Sequence, residues 1–283
     1  MLKKELSICV VIKVYNEFEL LENCIKSINR QKIKPRKVII VDDGSPNPKV
    51  SEEILHLSKE YSDLNIQLLK LPLKPKPDLD TVGRTWREAW FKVKNDVLCD
   101  YFGMLDSDTQ LESNYYELIV SEMERNPKIA CASGVFKIQT DIDEYVEEIN
   151  IGAKIGRKDA RGSGKVIRTS FLSEVEGDFP EVDWDTWINT KAKVRGFKSP
   201  QIDNVYMYQE RPTSRVVGKD LFRNGRLTYH FGYNPALLLL KMLLAKRGAL
   251  SILRGYLDAR KQKWRLTDQE VRKYFGWGFF LHY

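Results

Sequence analysis

Glycine is missing where a dinucleotide-binding α/β protein needs it. The first strand-like run, Ser7–Val14 (SICVVIKV), leads into Tyr15-Asn16-Glu17. A glycine-rich turn there would let the backbone approach a pyrophosphate; here a carboxylate stands in its place, which excludes that class. Arg161-Gly162-Ser163-Gly164-Lys165 fails as a phosphate loop for a related reason, since the position five residues before Gly164 is Asp159 and not glycine. Cysteine is scarce. Cys9, Cys24, Cys99 and Cys131 are scattered through apolar segments without paired spacing, which argues against a disulfide framework or a zinc site and makes a reducing interior the default. His56, His230 and His282 lack ligand spacing. Long hydrophobic runs are absent too: Ala236–Ala245 (ALLLLKMLLA) carries a lysine and is too short to span a bilayer. The opening MLKKELSICVVI runs straight into a strand the fold needs and does not read as a cleaved signal. No internal repeat or low-complexity tract breaks the chain.

What is present is a globular composition, 283 residues with 42% hydrophobic and 30% charged side chains, enough for one large α/β domain with an appendage. Charge divides it unevenly. Residues 1–210 carry 31 Lys and Arg against 35 Asp and Glu, a balance of −4; residues 211–283 carry 15 against 4, a balance of +11. The expected organisation is therefore one domain over 1–210, which holds the acidic motifs, and a basic, mainly helical region over 211–283. Such asymmetry points to an anionic partner, either phosphate, a membrane surface or nucleic acid, with a solvated basic helix as the plain alternative.

Two strand ends carry the chemistry. Leu98–Thr109 (LCDYFGMLDSDT) is an apolar strand ending in Asp106-Ser107-Asp108. Alternate residues of a strand project the same way, so the two carboxylates leave it side by side. Like charges that close need a proton or cation between them, and Mg2+ or Mn2+ beside phosphates is the usual solution. Upstream, the β-branched run Val38–Val41 is the pattern of a strand buried on both faces, and it stops at Asp42-Asp43-Gly44-Ser45, where turn residues begin. Helical spacing over Phe18–Gln31, Ser51–Tyr61, Thr81–Lys94, Asn114–Arg125 and Asp183–Gly196 alternates with strands at Ile66–Leu71, Ile129–Phe136 and Val166–Phe171. Pro72–Asp80 reads as a proline-rich loop and Asp141–Glu148 as an exposed acidic segment. The order predicts an α/β doubly wound, mostly parallel sheet with helices on both faces.

The succession of motifs resembles the family 2 glycosyltransferases of the GT-A fold over most of residues 6–235. Lys13-Val14-Tyr15-Asn16-Glu17 stands where that family opens with a proline and then Thr-Tyr-Asn-Glu. Val41–Ser45 is its VDDGS, Asp106-Ser107-Asp108 its aspartate-any-aspartate signature, and Asp178-Phe179-Pro180-Glu181 its segment before the catalytic acid. Gly83-Arg84-Thr85 loosely matches its arginine-bearing helix. The resemblance implies a metal-dependent, inverting transferase with Asp185 as general base. It implies donor contacts from Val14, Tyr15, Glu17, Asp43, Arg84, Asp106, Ser107, Arg211 and Arg215, and a Mn2+ or Mg2+ at Asp106 and Asp108. Arg211–Arg215 looks like the basic donor-closing loop of lipid-phosphate mannosyltransferase relatives. Implied partners are a GDP- or UDP-sugar and a glycan or polyprenyl-linked acceptor, with the enzyme cytoplasmic or peripheral on the cytoplasmic membrane face.

Departures from the pattern are specific. Lys13 replaces the usual proline, Trp184 stands where a glutamate normally precedes the catalytic aspartate, and Asp183 lies two residues ahead of Asp185. The Gln-x-x-Arg-Trp signature of processive polymerases does not follow Asp185, and no membrane spans flank the motifs, which favours single-sugar addition. Trp184 and Trp187 read either as core or as a stacking platform for a sugar ring; Arg84 and Arg87 read either as donor contacts or as a solvated helix face. Two other functions compete. A sugar nucleotidyltransferase needs a glycine-rich, arginine-containing loop after the first strand, which Tyr15-Asn16-Glu17 is not. A non-catalytic RNA- or membrane-binding protein is served by the basic tail, where Tyr256, Trp264, Tyr274, Phe275 and Trp277 supply aromatics among the cations. No nucleic acid is expected as partner.

Overall fold

A computed structural model describes residues 6–16, 18–74, 82–96, 99–139, 145–147, 158–210, 217–245 and 248–276. The chain forms two compact units, Met1–Pro212 and Thr213–Tyr283. In the first, β1 (Ile8–Val14), α1 (Leu21–Asn29), β2 (Lys37–Asp42), α2 (Lys49–Glu60), β3 (Ile66–Lys70), α3 (Val82–Asp96) and β4 (Tyr101–Asp106) alternate. These strands lie in the order β3-β2-β1-β4, all parallel. Val10, Val11, Ile12 and Val38 through Val41 are all fully buried, so the β-branched runs are there because helices cover both faces. The chain builds outward from β1 to β3, then returns to place β4 on the other side of β1. That reversal opens a crevice beyond the carboxyl ends of β1 and β4.

The rest of the sheet is mixed. It comprises β5 (Thr109–Leu111), β6 (Cys131–Gln139), β7 (Tyr145–Glu147), β8 (Lys165–Arg168) and β9 (Gln201–Gln209), with α4 (Tyr115–Arg125), α5 (Thr169–Glu174) and α6 (Trp184–Val194) between them. Strand β8 runs antiparallel to both β4 and β6, β9 runs parallel to β6, and β5 and β7 pair antiparallel with β9 and β6. The parallel pattern expected from the sequence thus describes the β3-β2-β1-β4 half. Beyond β4, β8 enters antiparallel to both of its neighbours, while β6 and β9 still pair in parallel.

Three local readings change. The strand expected over Val166–Phe171 stops at Arg168, because the Thr169 amide bonds to the Asp100 carbonyl and its hydroxyl donates to Cys99 O at 2.7 Å, turning the chain into α5. Within the acidic stretch 141–148, Tyr145–Glu147 is a strand on β6, and its exposure lies outside the described residues. Strand β9 went unread. Its one signal is Val205 and Met207, buried two residues apart between partly exposed neighbours.

Tyr115 of α4 joins the two halves of the core. Its hydroxyl accepts from the Gly134 amide and donates to the Gly164 carbonyl, each at 2.7 Å. Both glycines are needed: a Cβ on Gly134 would lie 2.7 Å from the Tyr115 ring, and one on Gly164 (φ +72°) 2.7 Å from its hydroxyl.

In the second unit, α7 (Val217–His230) packs on α9 (Ala249–Lys261), with α8 (Pro235–Leu244) and α10 (Gln269–Gly276) beside them. A Cβ on Gly225 would lie 1.9 Å from Ile252 O, and one on Gly255 2.0 Å from Phe222 O, so the α7–α9 crossing is backbone against backbone. Asn234 caps α8 through the Leu237 amide at 2.9 Å, with Pro235 in the first turn. His230 lies 4.2 Å from the Trp264 ring, and Arg226 sits over that same ring while reaching Asp258 at 3.4 Å.

Tyr115→Phe strands one buried amide and one buried carbonyl. Urea denaturation is expected to show a loss of about 1–3 kcal/mol.

Candidate active site

The turns after β1, β2 and β3 are tied into one edge. The first aspartate of the DDGS segment, Asp42, is structural: its carboxylate accepts from the Ser45 amide at 2.8 Å and the Ser51 hydroxyl at 3.2 Å. Gly44, at φ +81°, would place a Cβ 2.2 Å from Pro72 O, so only glycine lets the Pro72 segment close over this turn. Asp43 is left as the acid that faces the site. It is buried, and Lys74 Nζ meets it at 2.7 Å. Tyr15 is half-buried and donates its hydroxyl to the Lys74 carbonyl at 3.0 Å; it belongs to the site's rim and not to the core. Val14 does not present its side chain, which is buried; its carbonyl accepts from the Asp43 amide at 2.9 Å. Glu17, Arg211 and Arg215 lie outside the described residues.

On the other side of the crevice, Lys13 and Asp106 are register partners across β1 and β4, and Lys13 Nζ lies 3.3 Å from Asp106 Oδ1. The lysine that replaces the usual proline therefore addresses the acidic motif directly. The Ser107 amide donates to Lys13 O at 3.1 Å, closing the turn. Asp108 accepts from Gln209 Nε2 at 3.0 Å, and the Glu210 amide donates to the Asp108 carbonyl at 3.1 Å. The Glu210 carboxylate accepts from Asn23 at 3.2 Å and from Gln110. Gln209 ends β9, the unread strand, and Glu210 follows it, so sequence reasoning missed both.

Asp185 is half-buried in the first turn of α6, where a carboxylate suits the helix dipole. The glycine-rich turn before β8 lies beside both the start of α6 and the end of β4. A Cβ on Gly162 would lie 3.3 Å from the Trp184 ring and 3.9 Å from Asp185 Cβ. Its neighbour Ser163 accepts the Asp106 amide at 3.0 Å and donates to Thr109 Oγ1 at 3.0 Å. Below this, Lys165 is fully buried, with Nζ 2.9 Å from Asn189 Oδ1 and 3.4 Å from the Asp185 carbonyl. Burial lowers its pKa. The segment rejected as a phosphate loop is thus the scaffold beneath the acids.

Two motifs far apart in sequence also meet. Gly83, next to Arg84, donates its amide to Glu181 O at 2.9 Å, and a Cβ there would strike Pro180 O at 1.6 Å. Arg84 is half-buried in the first turn of α3. Arg87 reaches Phe179 O at 3.3 Å and Asp178 at 3.6 Å, so it clamps this segment and is not a solvated face. Trp184 and Trp187 are buried against Trp86 and Phe179, which decides for core over a sugar-stacking platform.

The model of glycosyl transferase family 2 matches residues 9–173, more than half of the chain. The chain belongs to this family. The uncharacterized glycosyltransferase EpsJ of Bacillus subtilis strain 168 is 25% identical over 141 residues, 49% of this chain and 37% of that protein; the chain matches little more than a third of that relative's length. Among solved structures, mannosyltransferase PcManGT of Pyrobaculum calidifontis, in complex with GDP-Man and Mn2+, superposes with a TM-score of 0.62 at 16% identity, covering 90% of this chain and 75% of the other. Residues 1–349 of S. aureus TarS in complex with UDP give 0.55 at 15%, covering 89% and 71%. At such identity these structures establish the GT-A fold. Membership of a glycosyl transferase family weighs against the nucleotidyltransferase and non-catalytic readings.

The donor set suits a divalent cation. No group of three or more His, Cys, Asp or Glu side chains converges among the described residues, but a hard cation that takes its remaining ligands from phosphates and water needs only one or two carboxylates. Burial, reinforced by the Asp106 charge, raises the Asp108 carboxyl above its ordinary range. A carboxyl whose pKa is raised on folding costs stability when it ionises; the cost is full above its folded pKa, shrinks as pH falls through that value and is gone below the unfolded one. Asp108→Asn keeps an acceptor for Gln209 and is therefore expected to melt higher than the parent at pH 7 in metal-free buffer. That difference should close in acid, as followed by scanning calorimetry.

Proposed function

We infer that this glycosyltransferase adds a single sugar, with inversion, from a GDP- or UDP-sugar to a hydroxyl or phosphate of a lipid-linked glycan or polysaccharide precursor. One observation supports the reading: the turn of consecutive residues Gly162 and Ser163 lies beside the start of α6, which carries Asp185, and bonds the Asp106 amide at the end of β4, so an acid suited to proton abstraction and an acid suited to a phosphate-bound cation stand on either side of one turn. Tyr15 and Asp43 line the edge where the base would lie, and Arg84, at the start of α3, would meet the diphosphate. Asp108 and Asp106 would hold Mn2+ or Mg2+, which when bound supplies a Lewis acid against the charge growing on the departing diphosphate. Asp185 takes the proton of the acceptor hydroxyl as its oxygen bonds to the anomeric carbon. On the opposite face the bond to the diphosphate oxygen breaks, and the nucleoside diphosphate leaves. Single transfer, as in the lipid-phosphate mannosyltransferase relatives, is supported by the missing Gln-x-x-Arg-Trp signature after Asp185.

Asp185→Asn is expected to bind UDP or GDP with Mn2+ as the parent does while losing transfer by on the order of 10²–10⁴-fold. Calorimetric titration and product assay together check this, and a larger loss in Asp183→Asn would move the base by two residues. Lys13→Met removes an ammonium that competes for Asp106, so Mn2+ titration by electron paramagnetic resonance, with UDP or GDP present, should show tighter metal binding than in the parent. Unchanged affinity would mean that Lys13 leaves the metal ligands alone.

A further inference from the structure

Of the ten large hydrophobic side chains exposed among the described residues, six fall within Leu239–Leu257 of the second unit. On α8, Leu239 (59% exposed), Leu240, Leu243 (75%) and Leu244 (61%) form one stripe, while Leu237, in the first turn, is buried. A helix apolar all round belongs inside something, and this one keeps a leucine face in the open. On α9 the exposed side chains Leu250 (67%), Arg254, Leu257 and Lys261 recur at spacings of four, three and four, which puts them on a single stripe with leucine and cation alternating. The one acid on α9, Asp258, is taken up by Arg226 at 3.4 Å and by Gln262 at 3.1 Å, so nothing on that helix neutralises Arg254 or Lys261. The stripe rests on a rigid base, since Gly225 and Gly255 bring α7 and α9 into backbone contact.

We propose that α8 and α9 lie on the surface of an anionic lipid bilayer, leucines below the headgroups and Arg254 and Lys261 among the phosphates. An apolar partner protein would leave the interleaved cations unpaired, and a nucleic acid would leave the leucines in water. Only an anionic amphiphile satisfies both, because long basic side chains reach the headgroups while their stems stay with the leucines. No helix among the described residues is long and apolar enough to cross a membrane, so the helices lie in the interface. This stands independently of the donor chemistry.

The test is flotation of the full chain with vesicles of phosphatidylcholine, alone or mixed with phosphatidylglycerol. Binding to the mixed vesicles only, weakened by salt, is expected. Leu250→Ser/Leu257→Ser should lower partitioning about tenfold or more, by loss of apolar burial. Arg254→Glu/Lys261→Glu should lower it by on the order of a hundredfold, since each reversed charge exchanges attraction for repulsion. All four positions are exposed, so both variants should keep the parent melting temperature and UDP or GDP binding. The proposal is overturned by failure to float with the anionic vesicles at low salt, or by equal binding to neutral ones. Flotation indifferent to the leucine variant overturns it as well. So does a leucine variant that melts several degrees lower, which would mean protein already covers the face, or a concentration-dependent dimer in light scattering that this variant disperses.

Discussion

The hydrogen bond from the Asp106 amide to the Ser163 hydroxyl is the contact on which the candidate site depends. The strand end that carries Asp106 and the helix start that carries Asp185 come from different parts of the fold and meet at one turn. The turn before β8 allows this by being small. Gly162 admits the Trp184 ring and the start of α6, Ser163 holds the end of β4, and Gly164 admits the Tyr115 hydroxyl. Tyr115 in turn fastens that turn to Gly134 of β6. Buried polar groups of this kind are costly when unpaired, so the turn has few ways to move without losing several bonds together.

The charges of the site are balanced before any donor arrives. Lys74 meets Asp43, Lys13 meets Asp106, and Gln209 donates to Asp108. Yet Asp108 keeps a raised carboxyl pKa, because one ammonium and one amide do not offset its burial beside a second carboxylate. That residual imbalance is a standing preference for a cation or proton, and it sets the function of the motif against the stability of the fold. Lys165 pays a similar desolvation cost beneath Asp185, where its ammonium is satisfied by Asn189 and a helical carbonyl.

Much of this was legible in the chain. The β-branched runs of β1 and β2 and the helical spacings identified the parallel half of the sheet, because a strand covered on both faces tolerates mainly apolar residues and leaves a continuous run. The acids at 42–43 and 106–108 were legible because polar residues ending such runs can only lie at the sheet's edge. Strand β9 was not, since it buries only Val205 and Met207 while its other side chains stay partly or fully exposed, and such alternation is faint. With it went Gln209 and Glu210.

What the linear order determined is therefore the family, the parallel half of the sheet and the acids at its edge, since these follow from local periodicity and motif spacing. Tertiary structure alone decided the partners: that Lys13 meets Asp106, that Arg87 and Gly83 clamp the Phe179–Glu181 segment, and that Trp184 and Trp187 are core. It also decided that six leucines of the second unit stay in the open. Such pairings join residues tens of positions apart, and which side chains approach is set by how the sheet and helices pack, a property no window of sequence contains.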